Sequence, residues 1–377
     1  MSDSRNWFDP IPESRRRTLR GSRQDGMRIE MGGRQLLNFA SNDYLGLRSH
    51  PDVCRAAIRA IESEGLGSGA SRLISGDHPA LHRLEQALAE WKGYEACLLV
   101  GSGMLTNIGL LQTLADRHTH LFTDRLNHAS LIDGARLAGA RVHRYRHNDT
   151  DDLQALLSRH TAARRIIVSD GVFSMDGDCA DLSTLLALAE SQDALLLIDD
   201  AHGIGSLGPD GRGLSAVAGI AGHPRLIEVG TFGKAFGGYG AFILGTHELI
   251  EGLRQRMRTL IYSTALPAAL PLAMLESLRL IHEGTLVHRL QGNIAQFRRE
   301  AAGLALMASE TAIQPLLLGS DEAALAAQQQ LQDAGFFVPA IRPPTVPEGS
   351  ARLRITLTAT HTEAQIRALI DTLRQLP

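Results

Sequence analysis

Between Ala96 and Leu244 the chain alternates short apolar, strand-like runs with segments of helical periodicity. The runs are Ala96 to Val100 (ACLLV), His120 to Thr123, Arg141 to Tyr145, Arg165 to Ser169 (RIIVS), Ala194 to Ile198 (ALLLI), Leu226 to Val229 and Ala241 to Leu244. Several carry apolar side chains at nearly every position. Strands covered on both faces read this way, as in a mainly parallel sheet flanked by helices. Helical segments fall between them, for example MLTNIGLLQTLA after Gly103, Asp151 to Ser158 and Leu182 to Ser191. The pattern predicts an α/β architecture.

From about Pro267 the texture changes. Ala268 to Glu283 and Val287 to Leu306 predict long helices, Ile313 to Leu318, Phe336 to Ile341 and Ala351 to Leu357 predict strands, and Thr362 to Leu376 a closing amphipathic helix. Alternation in Ala351 to Leu357 predicts a half-buried strand, with Arg352, Arg354 and Thr356 on one face, where an arginine is usually a solvated charge. At the other end, an arm with Trp7, Pro10 and Pro12 leads to a two-stranded ribbon, Met27 to Met31 and Gln35 to Phe39, turning at Gly32-Gly33. The predicted division is an arm and ribbon over 1–45, a large α/β domain over 46–266 and a smaller α+β domain over 267–377.

Composition narrows the classes. The 377 residues are 44% hydrophobic and 21% charged, with formal net charge −3. These are ordinary values for a globular chain, with no positive excess to imply nucleic acid. Cys54, Cys97 and Cys179 form no CxxC pair and no metal-ligand pattern, so they read as reduced thiols and a cytoplasmic location is expected. No stretch approaches the ~18 apolar residues of a membrane span, and the start lacks the apolar core of a secretory signal.

Four places could carry chemistry. Gly230-Thr-Phe-Gly-Lys-Ala-Phe-Gly-Gly238 sets Lys234 among small residues just past a strand. A nucleotide phosphate loop would need GxxxxGK[ST]; here Glu228 holds the first glycine's place and Ala235 follows the lysine. The loop is either a surface turn or the seat of a Schiff-base lysine, whose small neighbours admit a flat ring and whose partial desolvation lowers its pKa. Asp199 directly follows an apolar strand, where open α/β sheets bind ligands. It can cap a helix, ligate magnesium or pair with a protonated pyridine nitrogen, with His202 three residues on to meet a ring hydroxyl. Gly101-Ser-Gly-Met104 turns from strand to helix, so its amides suit a phosphate. His128 in Asn127-His-Ala-Ser130 could stack on a flat ring or be structural. In order along the chain these make a phosphate cradle, a stacking histidine, a pyridinium-pairing aspartate and a Schiff-base lysine.

Longer motifs extend from end to end: SNDYLGL at Ser41, GSGASRLISGDHPALHRLE at Gly67, NHASLIDGARL at Asn127, SDGVFSMDGD at Ser169, IDDAHGIGSLG at Ile198, TFGKAFGGYGAF at Thr231, IYSTALP at Ile261 and IRPPTVPEGSARLRITLTATHT at Ile341. Through them the chain, from about Arg15 onward, resembles the α-oxoamine synthase family of pyridoxal 5'-phosphate (PLP) enzymes. The resemblance implies PLP fold type I, like aspartate aminotransferase, and an acyltransferase joining an amino acid to an acyl thioester. SGDHPALHRLE and the tail AIRPPTVPEGSARLRITL are most similar to the biotin-pathway branch. That branch condenses L-alanine with a pimeloyl thioester, carried by CoA or an acyl carrier protein, to give 8-amino-7-oxononanoate, CO2 and free thiol. Sister branches make 2-amino-3-ketobutyrate, 5-aminolevulinate or longer amino-ketones.

By motif, the resemblance implies that Lys234 holds PLP, with Gly103, Met104, His128, Ser174, Asp199, His202 and Thr231 around it and Lys234, His128 and Asp199 in catalysis. His128, Asn42, Thr345 and Arg354 are implied near the substrate. Ser263 and Thr264 resemble a phosphate contact made across a homodimer with active sites at the interface. An arginine near the start is expected to touch substrate; Arg15, Arg16 and Arg17 compete for the place, with Arg16 chosen. Asp170 stands where glutamate is common, and Gly238-Tyr239 replaces a more usual small pair.

Overall fold

The computed structural model describes residues 11–16, 18–19, 21–208 and 210–376. The arm with Trp7 and Pro10, and Arg17 among the competing arginines, lie outside them.

The apolar runs form one seven-stranded sheet. Its spatial order is Ala96–Val100, Ala241–Gly245, Leu226–Thr231, Leu195–Asp199, Arg164–Asp170, Thr119–Asp124, Arg141–Tyr145. Ala241–Gly245 is antiparallel to both neighbours and the remaining pairings are parallel. Successive side chains point to opposite faces of a strand. Cys97, Leu99, Ile167, Leu196 and Ile198 therefore enter one buried cluster, while Leu98, Val100, Ile166, Val168 and Leu197 enter another. Two apolar layers, one on each face, are the physical reason the strands show no polar alternation. Burial of some 25 cal/mol per Å² of apolar surface on both faces drives the packing.

The expected ribbon forms as Arg28–Met31 paired with Arg34–Asn38. Gly32 and Gly33 turn it at φ +57° and +76°, a conformation that residues with a Cβ adopt only under strain. A third strand, Arg23–Asp25, extends it. Its far edge pairs in parallel with Phe336–Phe337. The run expected as one strand, Phe336 to Ile341, is two. Phe336–Phe337 joins the N-terminal meander, while Ala340–Ile341 joins Ala351–Thr356 and Ile313–Gly319 in a three-stranded sheet. Pro339 between them has no N–H to donate, and its carbonyl accepts instead from the Arg354 amide at 3.0 Å. The half-buried strand expected at Ala351–Thr356 is buried at all six positions. The loop around Ser174 to Asp176 covers its polar face, and Arg352 is ion-paired to Asp176 at 2.7 Å rather than solvated. Among the described residues no helix is long and apolar enough to cross a membrane.

One ion pair ties the carboxyl end of Thr119–Asp124 to the loop that follows the next strand of the sheet. His147 Nδ1 lies 3.1 Å from Asp124 and its Nε2 2.9 Å from Asp178. Burial opposes the imidazolium, but the two carboxylates outweigh it and push its pKa up to about 10. The raised folded value means that the stabilisation is fully present below the unfolded pKa near 6.5 and is lost as pH rises through about 10. The stability gap between wild type and His147→Gln is therefore expected to be largest at pH 5–6.5 and to shrink toward pH 10. Denaturant unfolding at a series of pH values checks this; a gap independent of pH would show that His147 is neutral.

Candidate functional site

At the carboxyl ends of the central strands lies a cleft of about 140 Å³ lined by Gly103, Met104, His128, Ser130, Asp170, Ser174, Asp199, His202, Thr231 and Lys234, among others. Residues from five separate motifs converge there because their strands are neighbours in the sheet.

Lys234 sits in a tight loop after Leu226–Thr231. The Gly237 amide donates to the Lys234 carbonyl at 2.9 Å, and the Gly238 amide to that of Phe232 at 2.8 Å. Gly237 has φ +70°, and a Cβ there would come within 2.2 Å of the Arg48 backbone nitrogen. The loop thus packs directly on the SNDYLGL segment. Burial lowers the Lys234 pKa to about 8, against the pull of Asp199 and Asp170. An amine so shifted is a better nucleophile and base near neutrality than a surface lysine.

Asp199 ends its strand. One carboxylate oxygen accepts the Ala201 amide at 3.0 Å and the other the Asn107 side-chain amide at 2.6 Å. Asn107 also donates to Ser130 Oγ at 2.8 Å, and Ser130 Oγ lies 2.7 Å from His128 Nδ1. A hydrogen-bonded chain therefore joins the aspartate to the histidine. Asn107 carries only a faint mark in the sequence, a lone amide within the apolar stretch MLTNIGLL. His128 caps the helix Ala129–Leu137, and its ring is exposed in the single chain. The protein packed around its inner edge strips enough water from the ring to lower its pKa, partly opposed by Asp199. Burial also holds the buried Asp170 carboxyl well above the usual range, with Asp199 adding to the shift.

Gly103 and Met104 open the helix Gly103–Leu114, capped by Ser102. First-turn amides have no partner within a helix, and the dipole there favours an anion. Arg354 is buried; its Nε donates to the Ser174 carbonyl at 2.6 Å, and Nη1 and Nη2 each lie 3.2 Å from Asn42 Oδ1. Asn42 and Arg354 therefore meet beside the cleft wall.

The donor set fits PLP. Helix-end amides face where a phosphate would sit, an anionic carboxylate can meet a pyridinium, an exposed imidazole can meet a ring face, and a lysine of lowered pKa can bond the aldehyde carbon. The remaining predicted residues lie elsewhere in the single chain. Ser263 and Thr264 line a small separate pocket with Gly101 and Arg72. Thr345 is exposed on the loop before Ala351. Arg16 is exposed and lines another cleft with Arg342, while Arg15 pairs with Asp321 and Glu348 at 3.3 and 2.8 Å.

Residues 34–373 match the model of aminotransferase class I and II. The chain belongs to that family. It is 50% identical over 364 residues to 8-amino-7-oxononanoate synthase of Nitrosococcus oceani, covering 96% of each chain. It is 46% identical over 353 residues to the enzyme of that name from Saccharophagus degradans, covering 93% of this chain and 89% of that one. Among solved structures, serine palmitoyltransferase of S. paucimobilis with bound PLP and myriocin superposes with a TM-score of 0.90 at 30% identity, covering 95% of this chain and 91% of that one. The 8-amino-7-oxononanoate synthase of Francisella tularensis gives 0.79 at 29% identity, covering 90% and 97%.

Proposed function

We propose that this chain is a PLP-dependent acyltransferase that condenses L-alanine with a pimeloyl thioester, giving 8-amino-7-oxononanoate, CO2 and free thiol. The observation that carries the reading is the convergence of Lys234, Asp199, His202 and His128 on one cleft, with Arg354 at its wall, in a chain half identical to synthases of that name.

PLP supplies an electron sink for charge developed at the alanine α-carbon. Lys234 anchors the cofactor and, as a free amine once substrate has entered, takes the α-proton. Asp199 would meet the pyridine nitrogen, and Asn107 holds its carboxylate in place through one oxygen. His202 would donate to the ring oxygen, and His128 would cover one ring face. Gly103, Met104, Ser174 and Thr231 surround the remaining polar groups. Arg354 holds the alanine carboxylate with its forked donors, and Asn42 orients the fork.

A second copy of the chain completes the site in this reading. Leu73, Ile74 and Tyr262 are 63%, 80% and 71% exposed, on segments joined by the Ser71–Thr264 bridge. An apolar patch of this kind marks an interaction surface. It would carry Ser263 and Thr264 to the partner's phosphate site.

The direct test mixes the protein and PLP with L-alanine, glycine or L-serine and with pimeloyl-CoA or pimeloyl carrier protein, and identifies products by mass. Product from alanine is expected; product from glycine or serine alone would move the chain to a sister branch. Arg354→Ala is expected to raise the dissociation constant for L-alanine by about 10- to 100-fold, because two charge-assisted hydrogen bonds are lost. Arg354→Lys keeps the charge but not the fork and should fall between. Titration of L-alanine against the absorbance of lysine-bound PLP reads both. Unchanged binding by Arg354→Ala would place the carboxylate elsewhere. Arg352→Ala is no neutral control, since it strands Asp176.

A further inference from the structure

His202 lines the cleft beside Lys234 and is nine-tenths buried. Its Nδ1 lies 2.5 Å from the phenolic oxygen of Tyr44, which is fully buried. The two rings are tilted by 55° with centroids 6.1 Å apart, so the phenol meets the imidazole through this hydrogen bond and not by stacking. Tyr44 comes from the SNDYLGL segment, 158 residues earlier in the chain.

The direction of that bond follows from the groups present. Burial pushes the Tyr44 pKa up to about 12, so the phenol keeps its proton. Burial, reinforced by the nearby charges of Lys234 and Arg354, holds His202 well below its usual value, so the ring is neutral. The phenolic proton has two acceptors in reach. Asn42 Oδ1 is 3.4 Å away and already faces two Arg354 nitrogens at 3.2 Å each. His202 Nδ1 is closer and faces no other donor in the hydrogen-bond network of the described residues. A neutral imidazole has one N–H. With Nδ1 accepting, that proton is on Nε2.

We propose that Tyr44 is a positioning residue that fixes His202 in the Nε2–H tautomer, so that the histidine offers the cleft a donor and never an acceptor. The site is thereby matched to a ligand oxygen that only accepts, such as an ionised ring hydroxyl. The identity of that oxygen rests on the function proposed above; the tautomer does not.

The test uses the full-length chain labelled with ¹⁵N-histidine, with and without PLP, and His202→Gln to assign the signals. In the cofactor-free wild type, His202 is expected to show an unprotonated Nδ1 and a protonated Nε2. In Tyr44→Phe, which keeps the ring that fills the buried space, the two tautomers should mix. The dissociation constant for PLP should rise about two- to tenfold, the loss of one hydrogen bond. Added to His202→Gln, Tyr44→Phe should cost nothing further, because its effect passes through the histidine. A protonated Nδ1 in the wild type, an unchanged His202 spectrum in Tyr44→Phe, or a PLP loss that persists undiminished in the double variant would each overturn the proposal. Because the tautomer is read without cofactor, it stands or falls apart from the reaction assigned.

Discussion

Lys234→Ala is expected to turn over at least about 10³-fold more slowly than the wild type and to lack the absorbance band of lysine-bound PLP. General acid–base catalysis alone contributes about 10²–10⁴-fold, and here the same amine is also the covalent anchor. No other amine lines the cleft. His128 and His202 have lowered pKa values and are weak bases. The Asp170 carboxyl is buried and already accepts the His128 amide at 3.0 Å. No lining residue is therefore placed to replace Lys234. Steady-state turnover at saturating L-alanine, with PLP content measured separately, distinguishes lost chemistry from lost cofactor. Turnover near wild type would remove Lys234 from the mechanism.

Lys92→Met is expected to destabilise the fold by about 3–5 kcal/mol, the usual cost of removing one member of a buried ion pair. The Lys92 ammonium and the Glu228 carboxylate have fully buried side chains 2.7 Å apart. Lys92 also donates to Ser215 Oγ at 3.1 Å and to the Arg212 carbonyl. Tyr94 and Ser215 donate to the second Glu228 oxygen at 2.5 and 2.7 Å. Removing the lysine leaves an anion in an apolar interior with only neutral donors. It also removes a positive charge that offsets the effect of burial on the Asp200 carboxyl. Lys92→Met/Glu228→Gln should recover a large part of the loss, since no unpaired charge remains. Denaturant unfolding at fixed protein concentration without PLP is the measurement, because a ligand or a partner copy would mask the difference. A single variant within 1 kcal/mol of wild type would mean that water reaches Glu228.

The α/β layout was legible because each central strand is buried on both faces. Apolar runs such as Ala96–Val100 and Ala241–Gly245 had to be continuous, and the glycines between them marked the turns. Lys234 and Asp199 were legible because each directly follows a strand in a sheet that binds at its carboxyl edge. Arg352 was misread because alternation tells which face a side chain takes, not what covers that face; the covering loop, Ser174 to Asp176, lies 176 residues away. The split at Pro339 was missed for a similar reason, since two short strands of different sheets look like one run until their partners are known. Tyr44 and Asn107 stood inside quoted motifs, yet their roles depend on contacts with His202 and Asp199 that no local pattern encodes.

The pairing of Arg34–Asn38 with Phe336–Phe337 also sets an order of events in biosynthesis. The two strands are separated by about 300 residues, which at typical elongation rates is roughly 15–60 s of translation. Throughout that time the meander that ends at Asn38 offers an open strand edge, and Asn42 has no Arg354 to rest against. A strand made about 300 residues before its partner is thus among the last to reach its final place, and an unpaired edge exposed for that long is where a nascent-chain chaperone would gain most by binding.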